Sequence, residues 1–140
     1  MAANTTPIFI ISGVTSSTAR ISAANTASDG SGTLVTLLTS GVDGTRVDSI
    51  RFRNAQIGGT ASSAMVHKVF LTDNTGSNPR LIAEVATAAA TRSNSAVGAT
   101  SIITFDQPVI MTSGQLMRVV QTIYAGAQDV FDAFAYAGNY

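Results

Sequence analysis

Arg46-Val47-Asp48-Ser49-Ile50-Arg51-Phe52-Arg53-Asn54 is the stretch on which the fold turns. From Ile50 onward apolar and basic residues alternate, the period of a strand with one buried and one wet face. That alternation sets the arginines on a common face. Val47 and Ile50 break the period, which predicts a β-bulge near Asp48-Ser49. On both sides of this stretch stand turn signals: Asp29-Gly30-Ser31-Gly32, Ser40-Gly41-Val42-Asp43-Gly44, Gly58-Gly59, Asp73 to Pro79, and Ser113-Gly114. Glycine supplies positive φ, and Asp and Asn side chains close local turns.

Between the turns lie β-branched and aromatic runs of strand length. The pattern predicts strands near 7–14, 18–23, 33–39, 46–54, 64–72, 80–86, 101–105, 108–111, 116–124 and 130–137, some of which can merge. In the run 116–124, Met117, Val119 and Ile123 share a face. In Phe131-Asp132-Ala133-Phe134-Ala135-Tyr136 both faces carry rings, so this strand is expected to be covered twice, by the core and by a partner or loop. Ala86-Thr87-Ala88-Ala89-Ala90 has some helix propensity. The preferred reading there is a strand ending near Ala86 and then a loop to Thr100. Many short strands at such spacing make an all-β sandwich or barrel. About eight of them fit a two-sheet β-sandwich of jelly-roll type. Neither an internal repeat nor a domain linker is visible.

The 140 residues amount to 14.4 kDa, the size of one domain, read as 1–140 with a short flexible N-terminal arm at about 1–7. The chain is 45% hydrophobic and only 11% charged, which argues against disorder. Eight basic residues balance eight acids, and a neutral chain is a poor nonspecific ligand for nucleic acid or an anionic membrane. No nucleic-acid or membrane partner is therefore expected. There is no Cys, which removes thiol catalysis, disulfides and thiolate metal sites. Residues Ile8 to Ile11 are too short for a signal-peptide core, so synthesis in the cytoplasm without a classical signal is expected. Seven of the basic residues are Arg and seven of the acids are Asp. Asp suits turns and Arg suits fixed planar contacts, which favours a β-protein with partners.

Catalytic constellations are thin. The single histidine, His67, lies in Met65-Val66-His67-Lys68-Val69-Phe70-Leu71 without a Gly-x-Ser-x-Gly elbow, and reads as a packed or interface residue. Asp48, Glu84 and Asp106 could supply paired carboxylates, but pairing with Arg46, Arg51 or Arg53, or facing solvent, is the plainer reading. Asp73-Asn74-Thr75-Gly76-Ser77-Asn78 is rich in oxygen yet lacks the EF-hand spacing, so it reads as a long turn. No catalytic, cofactor or metal residues are assigned. The candidate interface residues are Arg46, Arg51, Arg53, His67, Phe134, Tyr136 and Tyr140: the arginines as a surface or interface row, the rings as core or oligomer contact.

Asn25-Thr26-Ala27-Ser28-Asp29-Gly30-Ser31-Gly32-Thr33, the apolar strand Leu34 to Thr39, Ser40 to Val47, Ile50 to Arg53, Leu81 to Val85, and the ending Ala137-Gly138-Asn139-Tyr140 follow one another in an order that resembles a family of small proteins of tailed phages and prophages. The resemblance spans roughly residues 24–140 and rests on turn chemistry. It implies a virion structural protein, made in the host cytoplasm. Small β-sandwich proteins of this kind serve as head decoration, or cement, proteins. They bind the major capsid protein as homotrimers on the head surface and stabilise the lattice. The family pattern supplies no catalytic residues. Two other roles are weighed beside it: a tail, fibre or baseplate component, and a carbohydrate- or surface-binding β-sandwich module. The latter is poorly served by a chain without Trp.

Overall fold

The computed structural model describes residues 12–56 and 60–140. The expected arm at 1–7, and the start of the expected strand 7–14, lie outside the described residues. Eight strands follow: β1 (Ser12–Ile21), β2 (Val35–Thr39), β3 (Thr45–Asn54), β4 (Met65–Thr72), β5 (Arg80–Thr87), β6 (Thr100–Met111), β7 (Leu116–Gln121) and β8 (Phe131–Asn139). They form two four-stranded sheets, in the orders β1-β8-β3-β6 and β2-β7-β4-β5, with every neighbouring pair antiparallel. The sheets pack face to face as a β-sandwich. Their inner faces share one core, to which β3 gives Val47, Ile50 and Phe52, β4 gives Val69, β7 gives Met117 and Val119, and β8 gives Phe131 and Ala133.

The bulge forms where the broken period predicts it. The register of β3 against both β6 and β8 shifts between Val47 and Ser49. This shift keeps Arg46 on the same side as Arg51 and Arg53 although Arg51 follows Arg46 by five positions, an odd offset. The expected strands 101–105 and 108–111 are one strand, β6, interrupted opposite that bulge. Thr104 pairs with Ser49 and Val109 with Val47, so residues 105–108 have no direct opposite. Pro108 is tolerated because β6 is the edge strand and the interruption needs no ladder bond there. Likewise 18–23 and the described end of 7–14 belong to one strand, β1, irregular between Val14 and Ser17. Residues 83–100 hold no helix: β5 runs to Thr87 and a loop with isolated bridges leads to β6. The expected strand 116–124 stops at Gln121. Ile123 is therefore not on the buried face with Met117 and Val119 but exposed.

Among the described residues, the strand covered on both sides by the chain itself is β4, and no loop closes over β8. In β4 the outward residues Lys68 and Phe70 are buried as well as the inward His67 and Val69. The cover is the segment 22–34 between β1 and β2, whose Leu34 joins Phe70 and Val120 in a second apolar cluster on the outer side of this sheet. Lys68 holds the segment down. Its Nζ donates to Thr26 O at 3.0 Å, to Ala27 O at 3.4 Å and to Ser28 Oγ at 2.7 Å. Asn25 ties the segment to itself, donating to Ser31 O and Thr33 O and accepting from Ala27 N. Gly30 sits at φ +79, and a Cβ there would stand 2.3 Å from Pro79 Cβ, so the close approach requires glycine. The turn motif Asn25 to Thr33 is thus an architectural lid on one sheet.

Candidate interaction surface

Among the described residues, the outer face of the other sheet has no such lid. Register aligns its side chains in rows across the four strands. One row is Thr18, Phe134, Arg51 and Ile102, and the next is Arg20, Asp132, Arg53 and Thr100. A third joins Tyr136, Ser49 and Thr104, and a fourth joins Gly138, Arg46 and Ile110. Tyr136 is 50% exposed, Ile102 47% and Ile110 55%, so large apolar groups stand in solvent in three of the four rows. Single exposed apolar residues are ordinary, but several on one flat face with arginines between them are the composition of a contact surface.

Four of the chain's cations stand on this face, and they are not equivalent. Arg20 is paired with Asp132, Nε to Oδ1 at 2.8 Å and Nη2 to Oδ2 at 3.2 Å. That hydrogen bond, and then the charge of Asp132, push the Arg20 pKa further up. Arg46 is paired with Asp48, its Nε and Nη2 at 2.9 and 2.8 Å from Oδ1. Arg51 has its guanidinium 5.9 Å from the centre of the Tyr136 ring, within cation–π range. Neither Arg51 nor Arg53 has a carboxylate within ion-pair distance among the described residues. Shallow depressions open around Phe134. One, of about 360 Å³, is lined by Thr18, Ala19, Arg20, Asp132 and Phe134. Another, of about 210 Å³, lies between Arg53, Arg92, Asp132 and Phe134. Arg92 reaches it from the loop after β5 and is anchored there by donating to Asn54 O at 3.1 Å.

Of the residues singled out from the sequence, Arg46, Arg51, Arg53, Phe134 and Tyr136 come together on this face. Phe134 is half-buried, and among the described residues no loop covers β8 from outside in the manner that 22–34 covers β4. Tyr140 lies past the end of β8 with its N–H on Gly44 O at 3.3 Å, half-buried beside that turn. His67 is not a surface residue at all. It is fully buried, stacked 4.4 Å from Phe52 and tilted 4.7 Å from Phe131, and burial lowers its pKa to about 4. Its Nδ1 is 2.8 Å from Thr87 Oγ1, which in turn meets Ser101 Oγ at 2.6 Å. Sequence reasoning missed Arg20, Ile102 and Ile110. The alternation of Thr18-Ala19-Arg20-Ile21 carries the signal for the first, whereas the consecutive Ile102-Ile103 gives no face by itself.

The carboxylates weighed for catalysis do not gather as a set of three, although Asp106 lies across from the bulge that carries Asp48. Glu84 is on β5, 3.8 Å from Lys68, in the sheet opposite Asp48, and Asp106 is in the interruption of β6. Asp73 spends its carboxylate on its own turn, accepting from Thr75 N and Oγ1, Ser77 N and Asn78 Nδ2 at 2.7–2.9 Å. Those bonds, that from Thr75 foremost, lower its pKa to about 2. The described residues contain no group of three His, Asp or Glu placed to hold a metal ion. A wider hollow of about 550 Å³, lined by Met65, Val66, Ala86 and Ile123 among others, lies at one end of the lidded sheet and offers almost only apolar atoms. No protein-family model matches the chain, and no curated protein matches it either.

Proposed function

We propose that this chain is a non-enzymatic structural protein of a bacteriophage particle, a head decoration protein that binds the major capsid protein as a homotrimer through the open face of the β1-β8-β3-β6 sheet. The observation that carries a binding role is that face. Exposed Ile102, Ile110 and Tyr136 alternate with Arg51 and Arg53, which lack a carboxylate partner among the described residues. The virion setting rests on the resemblance of residues 24–140 to small tailed-phage proteins. We further read the sandwich as a jelly roll. The strand orders 1-8-3-6 and 2-7-4-5 interleave early and late strands in both sheets, as two nested Greek keys do. Repetition of one modest contact over a symmetric lattice gives tight overall binding without a large single interface.

The test is the copy number of the chain in purified virions relative to the major capsid protein, by quantitative mass spectrometry. The head-decoration reading expects copies of the same order as the capsid protein, and a trimer by sedimentation analysis of the free chain. A handful of copies per particle moves the chain to the tail, a fibre or the baseplate. Absence from particles removes the virion reading and leaves a surface-binding module, to be tested on glycans.

A further inference from the structure

Resting on the reading of this face as the binding face, we propose that the protein surface it receives is acidic, and that a partner carboxylate is seated beside Arg53 and Arg92. The charge count of the face is the first reason. Arg20 and Arg46 are neutralised by Asp132 and Asp48, while Arg51 and Arg53 are left over in adjacent rows. Two uncompensated guanidinium groups on a face with half-exposed apolar side chains are costly to desolvate against a neutral or basic surface. Against carboxylates each can form a paired, two-pronged contact.

The shape is the second reason. Arg53 borders two adjoining depressions, of about 210 and 290 Å³, and Arg92 borders both. Arg92 is held by carbonyl acceptors, Asn54 O at 3.1 Å and Gln56 O at 3.4 Å, so its charge is fixed at the rim without an ion pair among the described residues to neutralise it. Phe134 walls the smaller depression and gives a carboxylate-bearing side chain an apolar surface for its stem. A second copy of this chain related by a two-fold axis is a poor occupant, because Arg51 and Arg53 would face their own images. Nucleic acid is a poor occupant too. Asp132 stands in the row of Arg20 and Arg53, Asp48 is bonded to Arg46, and the chain is neutral overall.

The experiment uses the full chain and heads that lack it, from the phage or prophage that encodes it, in a co-sedimentation assay. The variants are Arg51→Glu/Arg53→Glu, the milder Arg51→Gln/Arg53→Gln, and the control Arg80→Glu, an exposed position on the opposite sheet. The proposal expects a loss of about tenfold or more in affinity for the reversal variant, a smaller loss for the Gln variant, and none for the control. A variant-free measurement accompanies it. Wild-type binding should weaken about tenfold or more when salt rises from about 0.1 M to about 1 M, which shortens the screening length from about 10 Å to about 3 Å. Wild-type binding that ignores both salt and the Arg51/Arg53 changes overturns the acidic-partner proposal and leaves the decoration reading standing. Wild-type chain that does not sediment with heads at all removes both. Retention of duplex or single-stranded DNA by the wild type, lost in the reversal variant, also overturns the proposal, since the cations would then serve phosphate.

Discussion

His67 should make the stability of this protein depend on pH. Its ring is fully buried between Phe52 and Phe131, and desolvation lowers its pKa from 6.5 to about 4. Nδ1 has the Thr87 hydroxyl, but Nε2 has no hydrogen-bond partner among the described residues. The protonated ring carries an N–H on both nitrogens, and the one on Nε2 has no acceptor there, in an apolar site. The sign follows from proton counting. Between pH 6.5 and about 4 the unfolded chain carries a proton on this imidazole and the folded chain does not, so acidification favours unfolding across that window. Above about pH 6.5 the effect is absent, and below about pH 4 it is complete. At about 1.4 kcal/mol per pH unit, the gap between 6.5 and about 4 corresponds to about 3 kcal/mol of stability lost on acidification.

The assay is urea unfolding at a series of pH values from about 7.5 to about 4, followed by circular dichroism, for the wild type and for His67→Leu. With a urea slope of about 2 kcal/mol per M, the wild-type midpoint should fall by about 1.5 M over the window. The variant loses the stacking and the Thr87 contact, so its midpoint at pH 7 differs. What matters is the slope, which should be largely gone because no other histidine exists. Carboxylates that titrate near pH 4 contribute equally to both proteins and cancel in the comparison. Parallel curves for the two proteins would refute the buried neutral imidazole.

The lid gives two further tests. Lys68→Met should cost about 1–3 kcal/mol by leaving Thr26 O and Ala27 O without their donor, with faster amide hydrogen exchange over residues 25–31. Unchanged exchange there would mean that Lys68 does not hold the segment. Gly30→Ala should destabilise by about 2 kcal/mol or more, through positive φ and the collision with Pro79, as read by the thermal midpoint. Asp73 is an acid counterpart to His67. Its folded pKa is depressed to about 2, so the stability it contributes is present above pH 3.8 and is lost as pH falls through about 2. Asp73→Ala should flatten the acid limb below pH 4 and leave the His67 window unchanged, as read by the same urea assay extended down to about pH 2.

Much of the sandwich is legible because β3 alternates cleanly, and even its bulge follows from the spacing of Val47 and Ile50. The site residues found from sequence are those on strands with such alternation: Arg51 and Arg53 on β3, Phe134 and Tyr136 on β8. Ile102 and Ile110 escaped because their exposure is decided by pairing with Arg51 and Arg46, a long-range register that Ile102-Ile103 does not encode locally. The coverage of β4 from within the chain escaped for a related reason. Rings on both faces of β8 look like a strand buried twice, yet what buries the outer side of β4 is a polar, turn-rich segment whose local chemistry reads only as loop. Lys68 under that segment is invisible to pattern reasoning, since a lysine between His67 and Val69 suggests a wet face. The backbone carbonyls that satisfy it come from forty residues away.

The contrast between the two outer faces bears on how the chain could engage anything. One sheet spends part of its own chain to close its outer face, with Phe70, Val120 and Leu34 sealed beneath the 22–34 segment. The other leaves Ile102, Ile110 and Tyr136 in water, although a comparable loop would bury them at modest entropic cost. Its edge strand β6 is poorly suited to recruiting a further strand. Residues 105–108 interrupt the ladder, and Pro108 offers no N–H. On the β6 side of this sheet, whose other edge is β1, contact therefore falls to side chains on the face rather than to backbone at the edge. Side-chain contact confers selectivity through the placement of charges and rings, which is the property that Arg51 and Arg53, flanked by Phe134 and Tyr136, can supply.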